Sequence, residues 1–187
     1  DLDLLKMLPA RLREWDYHAT AVLFKEGGDA GVLVHLTAPD DTDSLCGLAV
    51  DLGTTRVVLR IIDLRTGEHV GESVFDNPQI AVGPDVLARI HHVETPGGLE
   101  QLHRLIIDGI NGQLRDLCTE SGLVPEHILL VSVAGNTAMT HLLLELPVHR
   151  GEARLHLVHQ RQRKLEVVVV AGRATKAEIR AYGMRIR

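Results

Sequence analysis

A short apolar run, Leu48-Ala49-Val50, enters Asp51-Leu52-Gly53-Thr54-Thr55 and leaves through a long aliphatic segment, Arg56–Leu64. Two strand-like runs joined by so short a glycine-bearing link predict a β-hairpin. The turn residues Arg65-Thr66-Gly67-Glu68 then lead into a third strand, His69–Phe75, which makes a meander. A sheet has to cover its apolar face. The following residues supply that cover, with helical patterns over Asp85–His92 and Gly98–Glu120. In the second, Leu99, Leu102, Leu105, Ile106, Ile110, Leu114 and Leu117 recur every three or four residues on one face. Pro125 and Glu126 open a new element, Ile128–Val133 reads as a buried strand, and Gly135-Asn136-Thr137 introduces a short helix through Leu144. The fold class is therefore α/β, with a mixed sheet and helices packed on it.

Residues 1–45 form a smaller unit ahead of this one. Leu2, Leu5, Leu8 and Leu12 stand at helical spacing, with Pro9 expected to kink the helix. The runs Ala19–Phe24 and Gly31–Leu36 flank a glycine-rich link and predict a hairpin, so this part is small and α+β. Ala38–Ser44, polar with one proline and three aspartates, reads as a linker. There is no initiator Met, and the first residue falls inside a helical pattern, so the chain reads as cut from something longer. No internal repeat is visible.

Aromatic residues are only 3% of the chain against 45% hydrophobic, so the core has to be aliphatic. No run approaches the roughly 20 apolar residues of a membrane span. Cys46 and Cys118 are far apart, which suits a reducing cytoplasm and leaves no cysteine cluster for iron–sulfur or zinc. Charge divides unevenly: residues 1–149 hold ten Lys and Arg and 22 Asp and Glu, residues 150–187 ten and three. These balances, −12 and +7, make up the overall −5. The basic tail lacks interleaved aromatics or a recognisable module, so it is read as solvated and no nucleic acid is expected.

Two motifs carry chemistry. In the first, Gly53 permits close backbone approach, Thr54 and Thr55 bring hydroxyls and amides suited to phosphate oxygens, and Asp51 can hold water on magnesium. The same residues are also what a plain tight turn would use. In the second, Gly135, Asn136 and Thr137 follow a strand and open a helix, so the first amides face whatever lies there. Asn136 is a good N-cap, and capping alone would explain it. His91-His92 at a helix end reads as a solvated cap, and His149, His156 and His159 have no carboxylate or cysteine spaced to complete a metal site.

Residues 47–149 resemble the actin-like (ASKHA, ribonuclease H-like) ATPase domain of the reductive activators of corrinoid proteins. The resemblance rests on G-L-A-V-D-L-G-T-T (47–55), D-N-P-Q-I-A-V-G-P-D-V-L-A-R-I (76–90) and V-A-G-N-T-A-M-T-H-L-L-L (133–144). The first string is shared across the superfamily, and the second is the more specific to this family. By that likeness residues 46–149 are the first lobe of the ATPase domain, residues 1–45 resemble the middle domain before it, and residues 150–187 are a divergent tail foreign to the fold.

The resemblance implies ATP-driven reduction of cob(II)alamin to cob(I)alamin in a corrinoid methyltransferase system, the electron arriving through a ferredoxin-like 2Fe–2S domain. It makes Asp51 the residue that orders magnesium through water, makes Gly53, Thr54 and Thr55 phosphate contacts, and sets Gly135, Asn136 and Thr137 near the cleft between lobes. It implies a corrinoid protein as partner; a broad uncovered face would also favour association, such as a homodimer. This chain has no cysteine cluster, and no second phosphate loop or adenosine loop follows residue 150. Alone it is expected to hydrolyse ATP weakly or not at all. Two other readings stand beside this one: an actin-like kinase of a small molecule, and a non-catalytic interaction module.

Overall fold

On strand β3 (Cys46–Leu52), Leu48, Val50 and Leu52 are buried while Ala49 and Asp51 are exposed. That alternation is what a strand with helices on one face requires. The computed structural model describes residues 2–24, 32–39, 44–148 and 165–169. Ahead of β3 lie helix α1 (Leu2–Glu14) and an antiparallel hairpin of β1 (Thr20–Phe24) and β2 (Val32–Thr37). Pro9 falls within α1, which continues on both sides of it.

The main sheet has five strands in the order β5-β4-β3-β6-β7. Strands β3, β4 (Arg56–Asp63) and β5 (His69–Asp76) form the expected antiparallel meander. Asp63 ties the β4–β5 turn, its Oδ1 accepting the Arg65 and Thr66 amides at 2.7 and 3.0 Å. A 3-10 turn (Pro78–Ala81), α2 (Val86–Val93) and α3 (Gly98–Glu120) then carry the chain across the sheet. Asp85 caps α2 by accepting the Ala88 amide at 2.8 Å. After a second 3-10 turn (Pro125–His127), β6 (Ile128–Gly135) returns parallel to β3. Such a parallel pair needs a crossover of this kind. Helix α4 (Thr137–Leu143) follows, and β7 (Leu165–Val169) lies antiparallel to β6. The expectation for residues 150–187 otherwise falls on residues outside those described, as do His149, His156 and His159.

One aliphatic core joins the sheet to its helices. Val57, Leu59 and Ile61 of β4, Val131 and Val133 of β6, and the buried residues of β3 pack with Leu102, Ile106, Ile110, Leu114 and Leu117 of α3 and Met139, Leu142 and Leu143 of α4. Each such side chain contributes on the order of 1.5–3 kcal/mol on burial. Leu99 and Leu105, expected on the same stripe of α3, are only half-buried at its margin. The opposite face of the sheet presents Ala49, Asp51, Arg60 and Glu72 to solvent. Arg60 and Glu72 are directly opposite on β4 and β5 and form an ion pair. No helix among the described residues is long and apolar enough to cross a membrane.

Candidate functional site

The two glycine motifs meet because β3 and β6 run parallel in a register that sets Asp51 beside Ala134 and Leu52 beside Gly135. Both strands end at the same edge of the sheet, and each motif leaves from there. Ligands of open α/β sheets bind outside the carboxyl ends of parallel strands. Asn136, just past Gly135, caps α4 by accepting the Met139 amide at 3.0 Å, so the capping reading holds. Its side-chain nitrogen also donates to Thr54 Oγ1 at 3.2 Å. The second motif thus touches the first.

The turn after β3 is open to solvent: Asp51 and Thr55 are exposed, and Gly53 and Thr54 are half-buried. Gly53 is demanded by the hairpin itself. A Cβ built there would fall against the Arg56 carbonyl oxygen at less than 3.0 Å. Gly135 is tight as well, since a Cβ would sit 3.2 Å from the Leu52 carbonyl oxygen. Asp51 projects to the open face, where Arg60 is held protonated chiefly by Glu72, with Asp51 adding a smaller contribution.

Behind the turn lies a buried polar network. Asn77 Nδ2 donates to the Gly53 carbonyl at 2.9 Å, and the Asn77 amide donates to the Thr55 carbonyl at 2.8 Å. Between them Arg89 Nη2 donates to the Thr54 carbonyl at 2.7 Å. Three consecutive carbonyls of the turn are therefore engaged from one side. A trans peptide points its N–H opposite to its C=O, and the described residues include no cis bond. The Thr54 and Thr55 N–H groups are thus turned away from the network, and neither donates in the backbone–backbone bonds of the described turns and loops. Two outward amides, two threonine hydroxyls and a nearby carboxylate suit a phosphate with its magnesium, which takes one or two carboxylates and keeps several waters.

Sequence reasoning assigned no such role to Asn77, Gln79 or Arg89, although all three lie in the string quoted above as family-specific. One signal was available. Val86, Arg89, Ile90 and Val93 share one helical face, and an arginine in an apolar stripe needs a buried set of acceptors. His91 and His92 meet Glu94 and Gln101 at the end of α2. Cys46 and Cys118 are buried and free, and burial pushes both thiols up. Among the described residues no three His, Cys, Asp or Glu side chains gather as metal ligands. Cavities of about 270 and 300 Å³ lie elsewhere, the first between α1, β2 and the start of β6, the second along α3.

Residues 46–169 match the family model described as the RACo middle region. The corrinoid activation enzyme RamQ of Eubacterium limosum is 30% identical over 168 residues, covering 82% of this chain and 28% of that protein. A solved structure of a reductive activator for corrinoid, iron-sulfur protein superposes with a TM-score of 0.69 at 36% identity, covering 78% of this chain and 23% of its own. The chain thus spans about a quarter of the length of these relatives. The name "middle region" falls on the segment from Cys46 to Val169, which includes the whole meander and the β7 strand. With a family match over most of its length, the chain belongs to the RACo family of reductive activators of corrinoid proteins.

Proposed function

We propose that residues 46–149 are the phosphate-holding first lobe of an actin-like ATPase unit within an ATP-dependent corrinoid activator. The observation that carries this reading is the turn after β3, whose Gly53, Thr54 and Thr55 carbonyls are held inward so that the Thr54 and Thr55 amides face out. Those amides and the threonine hydroxyls would take the terminal phosphates of ATP, and Asp51 would hold magnesium through its waters. Asn136, bonded to Thr54, would report phosphate occupancy to α4.

Activation in this reading is the one-electron reduction of cob(II)alamin to cob(I)alamin on a corrinoid protein partner. The electron comes from a reduced 2Fe–2S cluster outside this chain. This step is uphill, and nucleotide binding or hydrolysis supplies the difference by favouring a closed arrangement that binds the partner differently. The residues of this chain offer one side of the phosphate site only. The chain by itself should therefore bind ATP weakly and turn it over at background rates.

Two assays on the purified chain test this. ATP with magnesium should shift the backbone amide signals of Thr54 and Thr55, and phosphate release should stay at the buffer rate. No shift at either amide would remove the phosphate assignment. Turnover comparable to that of a complete activator would remove the one-sided site. Retention of a corrinoid protein on the immobilised chain would support the partner assignment, and its failure to bind would count against this segment as the docking part.

A further inference from the structure

Arg89 is fully buried, yet among the described residues no carboxylate pairs with it. Its partners are neutral. Nε donates to the Gly83 carbonyl at 2.8 Å, Nη1 to Gln79 Oε1 at 3.1 Å, and Nη2 to the Thr54 carbonyl at 2.7 Å, while Met139 Sδ lies 3.1 Å from Nη1. Gln79 is itself buried and anchored, its amide donating to the Leu102 carbonyl at 2.9 Å. Gly83 is tight against the arginine, since a Cβ there would fall 2.8 Å from Arg89 Cγ. Burial lowers the pKa of Arg89 and Asp85 opposes that shift, but a guanidinium stays charged in proteins.

A buried cation is costly unless an opposite charge compensates it. Among the described residues, the guanidinium partner that leads toward solvent is the Thr54 carbonyl, whose turn carries the outward amides. An anion seated on those amides would lie on the far side of one peptide from the guanidinium. In that position it would offset the charge through a low-dielectric gap.

We propose that Arg89 is the positioning residue of the phosphate turn: it fixes the Thr54 carbonyl inward, and its buried charge, in direct contact with no carboxylate among the described residues, draws a phosphate anion to the Thr54 and Thr55 amides. This rests on the reading of the turn as a phosphate site. It gives the D-V-L-A-R-I segment a task that neither the turn nor the sheet could supply alone, namely a fixed positive charge behind the anion. Arginine suits it because the planar fork reaches three acceptors at once, whereas lysine would carry the charge without the geometry.

The test uses the full 187-residue chain, isotope-labelled, with inorganic pyrophosphate as the probe. Wild-type chain, Arg89→Met and Arg89→Lys are compared by the Thr54 carbonyl carbon shift without ligand and by pyrophosphate titration at the Thr54 and Thr55 amides. Arg89→Met should move the Thr54 carbonyl signal and weaken pyrophosphate about tenfold or more, the order expected for one charge acting across several ångströms of protein. Arg89→Lys should recover part of that affinity while being destabilised to a similar degree, which a purely structural arginine would not do. Unchanged pyrophosphate affinity in Arg89→Met, or no recovery in Arg89→Lys, overturns the electrostatic role. An unmoved Thr54 carbonyl signal in both variants overturns the positioning role. If the wild-type amides ignore pyrophosphate while the carbonyl signal still moves, the phosphate reading falls and the anion part of this inference falls with it. Should Arg89→Met fail to fold, Arg89→Lys against wild type decides by the same two signals.

Discussion

Asn136 Nδ2 stands 3.2 Å from Thr54 Oγ1, joining residues 82 positions apart in the chain. The same asparagine accepts the Met139 amide and so caps α4. One side chain is therefore shared between a helix start and the hairpin turn, and disturbing either end should be felt at the other.

A double-mutant cycle measures that coupling. Asn136→Ala removes both the cap and the link and should cost about 1–2 kcal/mol. Thr54→Val removes only the hydroxyl and should cost about 1 kcal/mol. The double variant should be less destabilised than the sum by roughly 0.5 kcal/mol or more, as expected for groups in contact. Urea denaturation of the four proteins gives the answer; simple additivity would mean the Asn136–Thr54 contact carries no energy.

Glycines differ sharply in what they do here. Gly53→Ala sets a methyl against the Arg56 carbonyl oxygen, a fixed backbone atom, and should lower stability by more than about 2 kcal/mol. Gly112 lies inside α3 with nothing near its missing Cβ, so Gly112→Ala should raise stability by about 0.5–1 kcal/mol. Thermal unfolding of both variants should move the midpoint in opposite directions.

Acid should loosen the β4–β5 turn. Two backbone amides, from Thr66 and then Arg65, hold the Asp63 carboxyl below the ordinary carboxylate range. A folded-state pKa below the unfolded one adds stability above the unfolded pKa and loses it as pH falls through the folded value. Carboxyl carbon titration by NMR should give Asp63 a midpoint below that of an ordinary aspartate. Asp63→Asn should narrow the difference in stability between neutral and acidic solution; an unchanged pH profile would show that the turn bonds contribute nothing.

Neither cysteine should react in the native state. Cys46 and Cys118 are buried, and burial first, then Asp63 for Cys46 and the neighbouring Cys46 for Cys118, pushes each thiol up. A thiol reagent at about pH 8 should therefore count none until denaturant is added, and then two. A fast-reacting native thiol would contradict the packing at the start of β3 and the end of α3.

Local patterns made most of the α/β unit legible in advance. The meander followed from three β-type runs with polar turns between them, and α3 from apolar residues every three or four positions. The stripe was read slightly too wide, because Leu99 and Leu105 satisfy the period yet lie at the margin of the sheet. The turn itself was visible as Asp51 to Thr55, but not the reason for Gly53, since a clash with the Arg56 carbonyl depends on where the hairpin folds back. Gln79 and Arg89 stood in plain view without a task. Their partners are carbonyls and a thioether, which one-dimensional patterns do not mark, and Met139 lies 50 residues from Arg89. Only the fold brings such acceptors together.

The pairing of Leu52 with Gly135 makes the apolar residues of two strands into surveyors of the site. A slip of β6 by one residue would turn Val131 and Val133 to the wrong face of the sheet. It would also carry Asn136 a strand step, roughly 3.3 Å, away from its level with Thr54. Substitutions at Val50 or Val133, well inside the core, can therefore displace the turn without touching it.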